Sequence, residues 1–416
     1  MTLNTNYTFE AMEPQYNLRA LRPDYEVTVT PDWTRRSEAF RATAKGKLDL
    51  PYGEGSRERI DFFPAADADA PLLIYFHGGY WQRGDKSMYS FLAEPYVKNG
   101  VAVALVNYDL CPSVRISKIT PQTRKAVAWL YTNAGELGFS SERIFVMGHS
   151  AGGHITGMLL GTDWPAFQRG LPADLIKGGF PLSPLNDLEP VRFSSINDGV
   201  KMDAAEAKSE SPMYHPPLTN APQLVVCGAR ETDEFHRQAD MYVETFSTVE
   251  RPIERYSVPD SDHFDELNVL ANENSVFFQK TLELIKRTLL AAQEKTNIAT
   301  LKNIVKAFNT HNIPAVTAFF AEDGEMLSAS GKEPCGTRLS GKAAIADALA
   351  KRFTSTPDIQ WIDGTEWVSG NNGLSQWTVT WTDGDGIRTS IMGCDIYKFR
   401  DGLVVRKDTF YKQRVS

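Results

Sequence analysis

Residues 148–154 read GHSAGGH. The G-x-S-x-G core sets a serine between two glycines, the pattern of a sharp strand-to-helix turn that lifts a nucleophilic hydroxyl clear of the backbone. Three fixed positions are weak evidence alone, so the flanks decide. RIFVMG (143–148) is a short apolar run of strand type, and SAGGHITGMLLG (150–161) carries apolar residues at helical spacing. Ser150 therefore opens a helix directly after a strand. The helix N-terminus brings free backbone N–H groups and partial positive charge to the reacting centre. Gly148 and Gly152 must be small because the turn crowds its neighbours. The chemistry expected of Ser150 is attack on an acyl carbon.

A serine at its own pKa is a poor nucleophile and needs a base that is itself oriented by an acid. In a strand–turn–helix setting of this kind the chain order is Ser, acid, His. The seven histidines are His77, His149, His154, His215, His236, His263 and His311. His149 and His154 flank the serine and read as structural, His154 packed one helical turn on and His149 beside the substrate pocket. His236 is mid-helix. His263, in PDSDHFDEL, follows the last strand of the first half and opens a loop, the place for the base. The acid should stand just beyond the strand QLVVCG (223–228), where GARETDEF offers Glu231, Asp233 and Glu234. Glu231 comes first and is the expected acid. Asp233 is the alternative, although it reads better as the cap of the next helix.

The oxyanion of a tetrahedral intermediate needs donors. HGGYW (77–81) follows the strand PLLIYF (71–76). Gly78 and Gly79 allow close backbone approach there, and the N–H of Ala151 is expected to complete the hole. His77 reads as a loop anchor, and Tyr80 and Trp81 as an aromatic wall of the substrate pocket. No metal or other cofactor is expected.

These residues must be held by an α/β architecture. PLLIYF, VAVALV (101–106), RIFVMG, QLVVCG and IERYSV (253–258) read as strands. PQTRKAVAWLYTNAGELG (121–138), with Thr120 as cap and Pro121 at the first position, reads as a helix, as do DEFHRQADMYVETF (233–246) and residues 272–293. Alternation of this kind predicts a mostly parallel sheet flanked by helices. Residues 182–222, rich in Pro, Ser, Asp and Asn, are long for a plain loop and read as a lid. Residues 1–45 hold little sheet pattern and are expected to form helices over the same region. Near residue 295 the pattern changes. TNIATLKNIVKAFNTHN starts a new helix, and the alternating runs that follow, separated by D-G and G-N turns, predict an antiparallel sheet. The expected domains are 1–294 and 295–416.

Composition narrows the function. Hydrophobic residues make up 42% and charged residues 23% of 416, and the net charge is −8 with no basic run. That argues against nucleic acid as a partner. Cys111, Cys227, Cys335 and Cys394 form no C-x-x-C pair. The start, MTLNTNYTFEAMEPQYN, has neither a basic opening nor an apolar core, and no apolar run reaches membrane length. A cytoplasmic protein without a membrane partner is expected.

HGGYW, the YDLCP of 108–112, GHSAGGH, DEFHRQADMY and DHFDEL together resemble the kynurenine formamidases (arylformamidases), α/β hydrolases of the hormone-sensitive-lipase-like branch. The similarity spans about residues 10–290. It implies hydrolysis of an N-formyl group on an aromatic amine such as N-formylkynurenine, with Ser150, Glu231 and His263 on the family's triad and Gly78, Gly79 and Ala151 on its oxyanion hole. Relatives usually carry Asp where this chain has Glu231, which keeps Asp233 open. The same machinery would serve a carboxylesterase acting on small aryl or alkyl esters. Residues 297–416 resemble the SnoaL-like, NTF2-like α+β cone domains, through TLKNIVKAFNTHN, FFAEDGEM and GCDIYKFRDGLVVRKDTFYK. That implies a pocket and a homo-oligomer formed through this domain. Asp395 and Asp408 lie in strands near such a pocket, where a buried carboxylate could act as a base. Asp395 could equally face solvent or a salt-bridge partner, and ligand binding or dimerisation is the expected role. Trp361, Trp367, Trp377 and Trp381 read as core or interface.

Overall fold

The computed structural model of the chain describes residues 7–413. Residues 1–6, the start of the segment read above as lacking a leader, and 414–416 lie outside the described residues. The chain divides into two compact units, Met1–Thr288 and Leu289–Ser416. No helix among the described residues is long and apolar enough to cross a membrane.

Unit 1 is built on eight strands: β1 Lys47–Pro51, β2 Arg59–Phe63, β3 Leu72–Phe76, β4 Ala102–Val106, β5 Ile144–His149, β6 Ile176–Leu182, β7 Gln223–Gly228 and β8 Ile253–Val258, ordered β1-β2-β4-β3-β5-β6-β7-β8. The pairs β1–β2 and β2–β4 are antiparallel and the rest parallel. Every residue of β3, β4 and β5 is buried, as strands covered on both faces must be. The antiparallel edge β1–β2 is not evident in the sequence, because β1 is exposed along most of its length and shows no apolar alternation. Register brings the functional segments to one end. Phe76 pairs with Gly148, His149 with Leu182, Leu182 with Val226, and Gly228 with Val258. The loops after β3, β5, β7 and β8 therefore all leave the carboxyl edge of the sheet, where ligands bind in open α/β folds.

Two helices depart from expectation. The helix read as starting at Pro121 runs over Ile116–Thr132, with Arg115 at its N-cap and Pro121 inside. Ile116 and Ile119 are fully buried, and Glu206 Oε1 accepts from both the N–H (3.2 Å) and the hydroxyl (2.9 Å) of Ser117. That burial and the acidic partner extend the helix backward. Thr120 does not cap; its hydroxyl donates to Glu210 Oε2 (2.6 Å). The break expected near residue 295 is absent: one helix spans Val276–Asn309. No Gly or Pro lies in that stretch to stop it.

Unit 2 carries β9 Phe320–Leu327, β10 Arg338–Ser340, β11 Gln360–Ser369, β12 Asn372–Thr382, β13 Arg388–Arg400 and β14 Leu403–Tyr411, ordered β10-β9-β14-β13-β12-β11. All neighbours are antiparallel except β14–β9. Its core gathers Leu301, Ile304, Phe308, Ile345, Trp377, Tyr397 and Val404, with Trp361 and Trp381 packed against it. Trp367 instead stands 50% exposed on β11.

Candidate active site

Ser150 sits between β5 and the helix Ala151–Leu160 with φ 59° and ψ −117°. A non-glycine residue at such a φ is held by its surroundings rather than by preference. The Ser150 N–H donates to the Leu182 carbonyl (2.8 Å), and the Ser150 carbonyl accepts from the His154 N–H (3.0 Å). A Cβ on Gly148 would stand 2.1 Å from the Gly152 carbonyl oxygen, and one on Gly152 1.9 Å from that of Phe76. The turn closes only with glycine at both places.

His263 and Glu231 meet across 32 residues of chain: His263 Nδ1 lies 2.6 Å from Glu231 Oε1. Three backbone bonds hold the turn after β7, from the N–H groups of Ala229, Arg230 and Glu231 to the carbonyls of Val258, Ser261 and Gly228. The Glu231 side chain is wholly buried. Its Oε1 also accepts from Ser183 Oγ (2.5 Å). Ser183 lies just beyond β6 with φ 40°. Nothing in its sequence surroundings, FPLSP, marks it as a partner of the acid. Asp233, the alternative acid, is exposed in the first turn of the helix Asp233–Phe246. It is not that helix's cap either. Thr232 takes the cap position, its hydroxyl turned to the Gln15 carbonyl (2.9 Å).

The His263 ring contacts Phe235, Phe264 and His149, with centroids 4.9, 5.3 and 4.5 Å away. His149 is buried, its Nε2 placed 2.8 Å from the His263 carbonyl and 3.1 Å from Glu266 Oε1. Burial, and then the neighbouring His263, push the His149 imidazole well below its usual pKa. The neutral ring donates one N–H, which serves the His263 carbonyl. Glu266 is fully buried. Burial, and then the charge of Glu231, push its carboxyl well above the usual range.

Gly78 and Gly79 follow β3 beside the serine. A Cβ on Gly78 would lie 2.9 Å from the His149 carbonyl and 3.1 Å from Ser150 Cβ, and Gly79 has φ 114°. The loop is anchored by His77, whose Nδ1 is 2.8 Å from the Gly78 carbonyl and whose ring stacks on Tyr108 at 4.4 Å. Burial lowers the His77 pKa to about 4. Ala151 is the first residue of the helix behind Ser150 and is fully buried.

Ser150, His263, His149, Gly78, Gly79 and Tyr80 line one cavity of about 420 Å³. Leu18, Tyr25 and Trp33 from the N-terminal helices and Ile196 from the 182–222 segment line it as well. Tyr80 is fixed by donating to the Tyr16 carbonyl (2.7 Å). Trp81 does not reach the cavity. Tyr80 and Trp81 both take positive φ (49° and 55°), and this turn sends Trp81 into the core. It is completely buried there, edge-on to His154 with Nε1 donating to Nδ1 (3.2 Å). The aromatic wall is instead made by Tyr80, Tyr25 and Trp33.

In unit 2, Asp395 is buried and its carboxylate is fully used. Oδ1 takes Lys407 Nζ (2.5 Å) and Thr409 Oγ1 (2.7 Å), while Oδ2 takes Trp377 Nε1 (2.9 Å) and Tyr397 OH (3.3 Å). A carboxylate so occupied is not a free base. Asp408 pairs with Arg406 (3.0 Å).

The strand order, the serine elbow after β5 and the histidine loop after β8 define unit 1 as an α/β hydrolase. Residues 60–165 match the BD-FAE family model, and residues 301–407 match the SnoaL-like domain. Kynurenine formamidase of Salmo salar is 30% identical over 270 residues, 63% of this chain and 88% of the relative, and that of Danio rerio 29% over 259 residues, 61% and 86%. A solved structure of a candidate thioesterase from Silicibacter sp. TM1040 is 33% identical, with TM-score 0.56 over 64% of this chain and 97% of the other. The chain belongs to the kynurenine formamidase family, with a SnoaL-like domain following its hydrolase domain.

Proposed function

We propose that the chain hydrolyses aryl formamides of the N-formylkynurenine type through a formyl-enzyme on Ser150. The observation that carries this reading is the 2.6 Å bond from His263 Nδ1 to the buried Glu231, on a ring that lines the same cavity as Ser150. Glu231 fixes the tautomer with the proton on Nδ1, leaving Nε2 free as a base. His263 takes the Ser150 proton as Oγ attacks the formyl carbon. The N–H groups of Gly78, Gly79 and Ala151 receive the oxyanion. His263 then returns the proton to the leaving arylamine. Water, deprotonated in turn by His263, releases formate from the serine. No step calls for a metal. Two formamidase relatives of about 30% identity support the formamide over an ester.

The test is kcat/KM for N-formylkynurenine beside p-nitrophenyl acetate, wild type against Ser150→Ala. A clear preference for the formamide, and a loss of at least about a thousand-fold in the variant, are expected. Turnover of the ester alone would make the chain a carboxylesterase. Formamide hydrolysis that survives Ser150→Ala would remove the serine from the mechanism.

A further inference from the structure

The wall of the cavity carries charge that hydrolysis itself does not use. Arg19, Glu26 and Arg83 all line it. Arg19 is neutralised: its guanidinium lies 2.5 Å from Glu26 and 4.9 Å over the Tyr25 ring. Arg83 has no such partner. Its guanidinium makes no hydrogen bond or ion pair among the described residues. The residue is exposed, and although burial and then the charge of Arg19 lower its pKa while Glu26 raises it, no carboxylate among the described residues bonds to it. Most other arginines of unit 1 are paired, Arg22 with Asp262, Arg237 with Glu234 and Arg255 with Asp240 among them.

Arg83 is also tied to the reacting centre. Its N–H donates to the Gly79 carbonyl (3.2 Å), and its own carbonyl and Cγ lie where a Gly79 side chain would be. The neighbouring Gln82 is held by the Ile196 carbonyl (3.0 Å). The backbone of Arg83 is thus tied to the same loop as the Gly78–Gly79 pair, and its side chain lines the cavity that holds Ser150. In a chain of net charge −8, an unpaired cation on the wall of the substrate cavity is a recognition element for an anion.

We propose that Arg83 is a specificity-determining residue that selects substrates whose aryl leaving group bears a carboxylate. This rests on the hydrolase reading of the same cavity. The guanidinium donates to the carboxylate, while the acyl group lies at Ser150. Glu26 is bound to Arg19, and its charge reaches Arg83 without a bond to it.

The experiment compares meta- and para-carboxyphenyl acetate with phenyl acetate, and meta-formamidobenzoate with formanilide, in wild type, Arg83→Met and Arg83→Lys. The readout is the ratio of kcat/KM, charged over neutral. Arg83→Met is expected to lower this ratio about ten-fold, the worth of one charge-assisted hydrogen bond, with Arg83→Lys keeping part of it. The wild-type ratio should also fall with added salt. A disturbed loop would slow charged and neutral substrates alike; an unchanged ratio overturns the proposal. If esters react and formamides do not, the formamidase reading fails while the ester ratio still decides the role of Arg83.

Discussion

Glu266 Oε1 lies 3.1 Å from His149 Nε2, with the two side chains buried against the loop that carries His263. The contact joins an imidazole that burial keeps neutral to a carboxyl that burial and Glu231 keep protonated. It is therefore a neutral packing pair and not a second acid–base couple. Glu266→Gln, neutral and of the same shape, should leave kcat/KM near wild type, whereas Glu266→Leu should lower it by loosening the His263 loop. The sign of the pH effect follows from the raised pKa. Above the unfolded carboxyl value the folded state holds the extra proton, so wild-type stability falls as pH rises. The stability of Glu266→Gln relative to wild type should grow as pH rises above the usual carboxyl range in urea unfolding. A collapse of kcat in Glu266→Gln would show that the carboxyl acts as an anion.

The two acids after β7 are separated by their surroundings. Glu231 accepts from both His263 and Ser183, and Asp233 is exposed. Glu231→Gln should cost three to four orders of magnitude in kcat, as misorienting the base does in serine hydrolases generally, about 10⁴-fold. Asp233→Asn should change it little. Equal losses from both would mean that the acid role is shared. Ser183→Ala should fall between, because Glu231 keeps its bond to His263.

The elbow has no room for a methyl group. Gly152→Ala would press Cβ to 1.9 Å from the Phe76 backbone oxygen. Backbone cannot yield as a side-chain tip does, so the cost should be at least about 1–3 kcal/mol, the range for overpacking, measured by urea unfolding.

His154 makes stability depend on acid. Its Nε2 faces the Glu210 carbonyl (2.6 Å), and Nδ1 accepts from Trp81. The bond from Trp81 requires an unprotonated Nδ1, hence the neutral ring, and burial lowers its pKa to about 4. Between that value and the unfolded value near 6.5, the unfolded state binds the extra proton, so stability is lost as pH falls. From pH 7 to pH 5 this amounts to about 2 kcal/mol. His154→Gln should flatten the pH dependence of the unfolding free energy by that amount. Glu266 acts in the opposite sense in both proteins and drops out of the difference.

In unit 2 the Asp395–Lys407 pair is structural. Lys407→Met would leave a buried carboxylate without its cation, which typically costs about 3–5 kcal/mol, with kcat/KM for aryl substrates unchanged. Loss of hydrolysis without loss of stability would count against this assignment.

The sequence by itself determined the parts of this protein whose reasons are local. Gly148 and Gly152 mark the elbow because the turn excludes any Cβ within a few residues of Ser150. The buried strands read directly as apolar runs, and the position of His263 after the last of them follows from chain order. The choice between Glu231 and Asp233 stayed open, because both lie within reach of the same loop and only the fold of the Gly228–Ser261 turn aims one of them at the imidazole. Tertiary structure alone decided Ser183, Glu266 and Arg83. Each acquires its character from residues far away in the chain: an acid 48 positions on, a histidine in another strand, or a missing counter-ion. It also decided that Trp81 faces the core, since two successive positive φ values reverse the side on which an aromatic side chain emerges. Spacing along a chain records local geometry, whereas partnership and desolvation exist only once the sheet has brought its loops to one edge.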